Sequence, residues 1–277
     1  MFLIDDQALL TMIREDVPYG DLTTRALSFG GVRGHLTFTA RDPMTVCAIE
    51  EAGRMFELLG CAVDRAAASG ERRTPAELLL AAAGPAEALF AGWKVAQTLV
   101  EWASGVASAA RAIVDAAGAV NPQIVVACTR KAVPGTRALA FKAVTAGGAS
   151  IHRIGLSDTV LVFPEHRAFA AGCLKGQLKR LKTACPEKCL VVEVTNHDDA
   201  LRAADWGAHV IQLEKFLPHD VARVVQALTG SAARIAAAGG VHAGNAAAYA
   251  ESGAHVLVTS APYHAPPLDV AVRLEPA

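Results

Sequence analysis

From Gln123 onward the chain repeats one pattern: a short apolar run rich in β-branched residues, then an alanine-rich stretch compatible with a helix. The runs are Ile124 to Ala127, Val160 to Phe163, Leu190 to Val194, His209 to Leu213, Arg234 to Ala237 and His255 to Thr259. They are apolar on both faces, as strands of a parallel sheet must be when helices cover both of its sides. Repeated βα units therefore predict a parallel sheet. The even spacing of the last four runs suggests a barrel, with a doubly wound open sheet as the alternative.

The first hundred residues read differently. They contain a predicted helix near Asp5 to Glu15, a turn at Pro18 to Gly20, and strand-like segments at Val32 to Ala40, Thr45 to Ile49, Cys61 to Ala66 and Ala76 to Ala82. A long helical stretch follows from about Pro85 to Ala117. Strands first and βα units afterwards predict an α+β domain ahead of the barrel, and 277 residues suffice for both.

Composition narrows the function. Hydrophobic residues make up 52% of the chain and charged residues 19%, without a long polar tract, so compact folding is expected throughout. The formal net charge of −1 supplies no field to gather nucleic acid or anionic lipid. The start, Met-Phe-Leu-Ile followed by Asp5 and Asp6, lacks the basic-then-apolar pattern of a secretory signal, so a cytoplasmic location is expected. Glu77, Glu87 and Lys94 interrupt the most apolar region, and no uncharged run reaches membrane-spanning length. The six cysteines are dispersed and expected to be reduced thiols; Cys185 and Cys189 alone are weak evidence for zinc.

Polar residues concentrate where the βα pattern places strand ends, the position of active sites in barrels. Thr129-Arg130-Lys131 ends the first run and is followed by Pro134-Gly135 and Arg137. The fork of Arg130 and the ammonium of Lys131 suit a phosphate or carboxylate, although a solvated basic loop has the same composition. His152-Arg153 follows the Gly147-Gly148 turn and adds donors at the same end. Glu193 lies in one strand and Glu214 ends the next; such carboxylates need a cation, either Lys131 or a Mg²⁺ ion shared with substrate phosphates. Ala238-Gly239-Gly240 before a helix offers backbone N–H groups to a phosphate, or simply a tight turn, and Thr259-Ser260 ends the last strand.

The ordered set of motifs resembles the quinolinate phosphoribosyltransferase (nicotinate-nucleotide pyrophosphorylase) family over nearly the whole chain. It comprises Glu15-Asp16, Gly20-Asp21-Leu22-Thr23-Thr24, Ser104-Gly105-Val106-Ala107, Thr129 to Arg137, His152 to Asp158, Glu193-Val194, Ala238-Gly239-Gly240 and Ser252-Gly253. The resemblance implies an N-terminal open α/β sandwich (residues 1–106, joined by 269–277) and an incomplete parallel α/β barrel that binds phosphoribosyl groups (107–268). It also implies a homodimer with shared active sites, phosphoribosyl pyrophosphate (PRPP) and a small heterocyclic acceptor as substrates, and Mg²⁺ as cofactor. Arg130, His152 and Arg153 would face the acceptor, Lys131, Glu193 and Glu214 the metal-bound pyrophosphate, and Gly239, Gly240, Ser260 and His264 the 5′-phosphate.

Three departures bear on the acceptor. Phe163 stands at a family lysine position, Lys94 at that of an arginine donated by the partner, and Leu213-Glu214-Lys215 replaces a Leu-Asp-Asn. Loss of one cation and of one guanidinium fork weakens the grip on a second carboxylate, because an anion without its counter-charge retains its desolvation cost. Quinolinate is therefore disfavoured as substrate. The strings Trp93-Lys94, Leu161-Val162-Phe163-Pro164 and Lys215-Phe216 resemble the ModD branch, pyrophosphorylases associated with molybdenum transport genes. Two rival readings are a true quinolinate enzyme of NAD synthesis and a non-catalytic protein that binds an oxyanion or a phosphoribosyl ligand.

Overall fold

Two aspartates start the first two helices. Asp5 accepts from the N–H of Ala8 at 2.8 Å and opens α1 (Asp6–Asp16); Asp21, inside the Gly-Asp-Leu-Thr-Thr motif, accepts from Thr23 and Thr24 and opens α2 (Leu22–Ala26). The computed structural model describes residues 4–277, and Met1 to Leu3, which carry the reading of the chain start, lie outside it. The chain continues through β1 (Arg33–Ala40), β2 (Met44–Thr45), α3 (Ile49–Leu58), β3 (Ala62–Arg65), β4 (Arg72–Arg73), β5 (Leu78–Pro85) and α4 (Ala86–Gly118). Then come β6 (Val125–Cys128), α5 (Arg137–Ala146), β7 (Ser150–Ile151), β8 (Val160–Val162), α6 (Pro164–Phe169), α7 (Leu174–Ala184) and β9 (Leu190–Val194). The last elements are α8 (His197–Asp205), β10 (Val210–Glu214), α9 (Pro218–Ala227), β11 (Arg234–Ala238), α10 (Ala246–Glu251), β12 (Val256–Thr259), a 3₁₀ turn (Ala261–His264) and β13 (Val270–Pro276).

These elements form two compact units. The first takes the chain up to Arg111 together with 133–148 and 262–277; the second takes 112–132 and 149–261. In the first, antiparallel strands run in the order β13-β1-β5-β3, and β1 buries every second residue, Leu36, Phe38 and Ala40 among them. Phe38 meets Phe56 of α3 edge to face, with centroids 6.0 Å apart, inside a core that includes Leu9, Leu79, Leu80 and Leu89. Helices on a half-buried antiparallel sheet give the α+β unit expected from the grouped strands and the sandwich that the resemblance implies.

One expectation is corrected here. Thr45 to Ile49 is not a strand: pairing stops at Thr45, Ala48 turns into the left-handed region (φ 63°), and Ile49 begins α3. The N–H groups of Thr45 and Cys47 are taken by the hydroxyls of Ser108 and Ser104, at 2.8 and 3.0 Å, which satisfies the backbone without a ladder.

In the second unit seven parallel strands run β7-β6-β12-β11-β10-β9-β8, with β7 and β8 at the edges of the described sheet. This is the incomplete parallel barrel. Register sets its inner layers: Glu193, Gln212, Ala236 and Val256 stand side by side on four neighbouring strands, and Glu214, Ala238, Val258 and Ala127 form the next layer. Barrel interiors are commonly filled by bulky branched residues. Two alanines on β11 leave room instead, and polar side chains occupy the neighbouring places. At the opposite strand ends, the Nδ1 atoms of His209 and His255 accept from the N–H groups of Leu190 and Ile235 at 2.9 and 3.0 Å.

Candidate active site

The C-terminal ends of the parallel strands surround a cavity of about 620 Å³ that lies wholly within the second unit. Backbone pairing continues beyond β6, where Thr129 donates to the Thr259 carbonyl at 2.9 Å and His152 to that of Cys128 at 2.9 Å. Arg130, Lys131, His152 and Arg153 are thereby delivered to one wall. Arg153 is only 6% exposed; burial, and then the neighbouring Arg130, pull its pKa down. Burial, with Arg153 second, also lowers the His152 pKa, so this imidazole is mainly neutral near neutral pH. Among the described residues the side chains of Arg130, Lys131 and Arg153 make no salt bridge, which leaves these cations for an anionic ligand.

Glu193 and Glu214 lie on the facing strands. Burial, and next the charge of Glu214, push the Glu193 carboxyl above the usual carboxylate range; a bond from Gln212 and the charge of Lys131 oppose this, while Glu165 adds to it. Gln212 Nε2 donates to Glu193 Oε2 at 2.7 Å. A hard divalent ion would relieve the repulsion between the two acids, and Mg²⁺ binds through one or two carboxylates plus substrate phosphates. The donor set fits that mode and not an all-protein cage, because no group of three or more His, Cys, Asp or Glu among the described residues is placed to hold a metal.

The loop after β11 completes the rim. Gly239 and Gly240 both have left-handed backbone (φ 88° and 83°). At Gly239 a Cβ would lie 2.7 Å from Lys215 Cγ and 2.9 Å from Glu214 Oε1, so glycine is required for β10 and β11 to end so close together. Lys215 is itself left-handed (φ 60°), its N–H bonded to the Ala238 carbonyl at 2.7 Å, and it lines the cavity. Thr259 donates its hydroxyl to the Val241 carbonyl at 2.6 Å and accepts from the Ala261 N–H at 3.0 Å, fixing the chain on both sides of Ser260.

Ten of the residues singled out from the sequence line this one cavity: Arg130, Lys131, His152, Arg153, Phe163, Glu193, Glu214, Gly239, Gly240 and Ser260. Phe163 is a wall residue rather than buried filling; its ring centre lies 5.7 Å from the Arg153 guanidinium and stacks on His166 at 5.5 Å. Lys94 and His264 do not line the cavity. Lys94 lies on α4 in the first unit, with its ammonium 4.3 Å from the Trp93 ring centre and 3.2 Å from Gln97 Oε1, beside a separate concavity with Glu15, Asp16 and Trp102. His264 is exposed in the 3₁₀ turn. The sequence reading gave no role to Gln212 and Glu165, which also line the cavity. A polar Gln212 inside the otherwise apolar run 210–213 was the available signal.

A parallel half-barrel whose strand ends gather cations, two acids and a glycine turn has the make-up of a phosphate-binding α/β protein. Residues 21–104 match the N-terminal domain of quinolinate phosphoribosyl transferase and residues 106–273 its C-terminal domain. The chain belongs to the quinolinate phosphoribosyl transferase family and is a phosphoribosyltransferase. It is 58% identical over 249 residues to a Rhodobacter capsulatus protein whose name assigns it as the pyrophosphorylase ModD, covering 89% of this chain and 96% of the relative. A protein of Archaeoglobus fulgidus, named as a carboxylating nicotinate-nucleotide pyrophosphorylase, is 32% identical over 263 residues, covering 93% and 99%. The crystal structure of NadC from Streptococcus pyogenes superposes with a TM-score of 0.91 at 25% identity, covering 98% of this chain and 96% of that one. No helix among the described residues is long and apolar enough to cross a membrane.

Proposed function

We propose that the chain transfers the phosphoribosyl group of PRPP to a ring nitrogen of a heterocycle carrying at most one carboxylate. In this reaction the C1–O bond to pyrophosphate breaks, a C1–N bond forms, and pyrophosphate leaves. The observation that carries the reading is the convergence of Arg130, Lys131, Arg153, Glu193, Glu214 and the Gly239–Gly240 turn on one cavity with Phe163 in its wall.

Charge develops on the leaving pyrophosphate as the bond breaks, and preorganised cations stabilise it most in a site that needs no reorganisation. Lys131 takes that role; Glu193 and Glu214 would hold Mg²⁺, which would supply further neutralisation of the pyrophosphate charge. The open N–H groups at Gly239 and Gly240, together with Ser260, take the 5′-phosphate. Arg130, the neutral His152 and Arg153 face the acceptor. A carboxylate beside the sugar stabilises its developing positive charge.

The limit of one carboxylate rests on Phe163, which puts an aromatic face where the family resemblance implies a lysine and so removes one cation from the acceptor side. In a homodimer with shared sites Lys94 would be supplied by a second copy, as an ammonium without the fork of an arginine. The ModD name of the 58% identical relative supports a place in the ModD branch. A steady-state assay with quinolinate, PRPP and Mg²⁺ tests the acceptor claim: little or no turnover is expected, and robust turnover would overturn it.

A further inference from the structure

Gln212 contributes chemistry to the cavity floor that the transfer reaction described above leaves unused. It is 5% exposed, and its Nε2 is committed to Glu193. That bond fixes the amide's orientation, since only the nitrogen end donates to a carboxylate. The other end, Oε1, is buried and accepts no hydrogen bond from any described residue. Leaving a buried carbonyl oxygen unpaired costs about 1–3 kcal/mol, so a donor brought by whatever fills the cavity would be bound selectively.

Depth identifies the part of the substrate that brings it. Glu214 ends β10, and Gly239, Gly240 and Ser260 follow strand ends, whereas Gln212 lies two residues inside β10, level with Glu193 and Ala236. A 5′-phosphate held at Gly239, Gly240 and Ser260 stays at the rim and leaves the floor to the acceptor and to the metal that Glu193 would hold. The walls there include Leu161 and Phe163, which suit the faces of a flat ring. Phe163 follows Val162, which pairs with Val192, and so stands beside Glu193. Glu165 adds a third carboxylate to the lining, a poor neighbour for a dianion and a good one for N–H groups.

We infer that Gln212 is a specificity residue that accepts a hydrogen bond from an N–H of the acceptor, so that the acceptor is an amino-bearing or ring-N–H heterocycle rather than a pyridine dicarboxylate. The inference rests on the phosphoribosyl-transfer reading. A sugar hydroxyl of PRPP is the other possible source of a donor, and the test separates the two.

Calorimetry with Mg²⁺ and pyrophosphate present compares matched probes on the full chain: adenine against purine, 2-aminopyridine against pyridine, and 6-aminonicotinate against nicotinate. The parent is expected to bind at least one amino probe about tenfold or more tightly than its counterpart. Gln212→Met is expected to abolish that preference, with circular dichroism and a thermal melt showing that the variant folds. Gln212→Asn, which retains an amide, is expected to keep part of the preference. Three results would overturn the inference: no amino probe preferred by the parent, a preference that survives Gln212→Met, or weakened PRPP binding in Gln212→Met with the preference intact, which assigns Oε1 to the sugar. Failure of the parent to bind PRPP at all would remove the transfer reading, and this inference with it.

Discussion

Arg153 and Phe163 face each other across the wall of the cavity, the guanidinium carbon 5.7 Å from the ring centre. A buried arginine is thus set against an aromatic face, and on the Phe163 side of the cavity no cation among the described residues joins Arg153 and its neighbour Arg130 in holding a second carboxylate. Phe163→Lys should therefore raise kcat/KM for quinolinate by about tenfold or more, since a hydrogen bond to a charged group contributes about 1.5–3 kcal/mol. The same variant should melt lower than the parent without ligand, because the new ammonium repels Arg153, and quinolinate should restore part of the loss. Unchanged quinolinate kinetics in a folded variant would remove Phe163 as the cause of acceptor choice.

Glu193 gives a pH signature. Burial and Glu214 raise its carboxyl pKa in the folded protein, so the folded state holds this proton more tightly than the unfolded chain does. The resulting stability is complete below the unfolded carboxyl pKa and is lost as pH rises through the folded one. Glu193→Gln should accordingly raise Tm near neutral pH by roughly 2–4 °C. The gain should vanish at about pH 4 and below, where the parent carboxyl is also neutral. Equal gains at both pH values would contradict the assignment, and the variant should lose stabilisation by Mg²⁺ with PRPP.

Lys215 combines a left-handed backbone with a place in the cavity lining. Non-glycine residues adopt that region at a cost of about 1–2 kcal/mol, less for asparagine, and such strain gathers at functional sites. Lys215→Asn should keep or slightly raise Tm while weakening PRPP binding several-fold. Thermal melts and calorimetry on the same preparation check both halves, and a variant that loses stability but keeps its PRPP affinity would make Lys215 structural only.

Much of this architecture was legible in the sequence because its signals are local. Apolar runs at 190–194 and 234–237 fall on strands with the same first residue. Thr45 to Ile49 was misread because a run of apolar residues does not reveal a single left-handed residue, here Ala48, that ends the extension. The two-residue β7 is too short to leave a periodic trace. In the site, charged residues at strand ends announced themselves by position, whereas Gln212 matters through register, by standing beside Glu193 on the neighbouring strand. Pairing across strands nineteen residues apart is a tertiary fact.

A partly buried ion cluster in the first unit offers a stability test independent of catalysis. Lys142 on α5 bonds Glu50 at 2.9 Å and Glu51 at 2.5 Å, both on α3. Burial works against ionisation of Glu50, but hydrogen bonds from Ser69 and Lys142 outweigh it and hold the carboxyl down at about 2. Lys142→Met leaves the charge of the buried Glu51 uncompensated, while the more exposed Glu50 is screened by solvent, and should destabilise by roughly 2 kcal/mol, a Tm fall of roughly 4–8 °C. The stability that Glu50 contributes is present above its ordinary value of 4.5 and lost as pH falls toward about 2, so parent and variant should converge over that window. A pH-independent gap would assign the loss to packing alone.

The central claim is that one rim of positive side chains and paired acids recognises a sugar diphosphate with its metal ion. Calorimetric titration of the parent and of Lys131→Ala with PRPP plus Mg²⁺, and separately with molybdate, tests it most directly. The account predicts Mg²⁺-dependent binding of PRPP by the parent, its loss in Lys131→Ala, and no comparable binding of molybdate. Exclusive binding of molybdate, or PRPP affinity unchanged by Lys131→Ala, would contradict it.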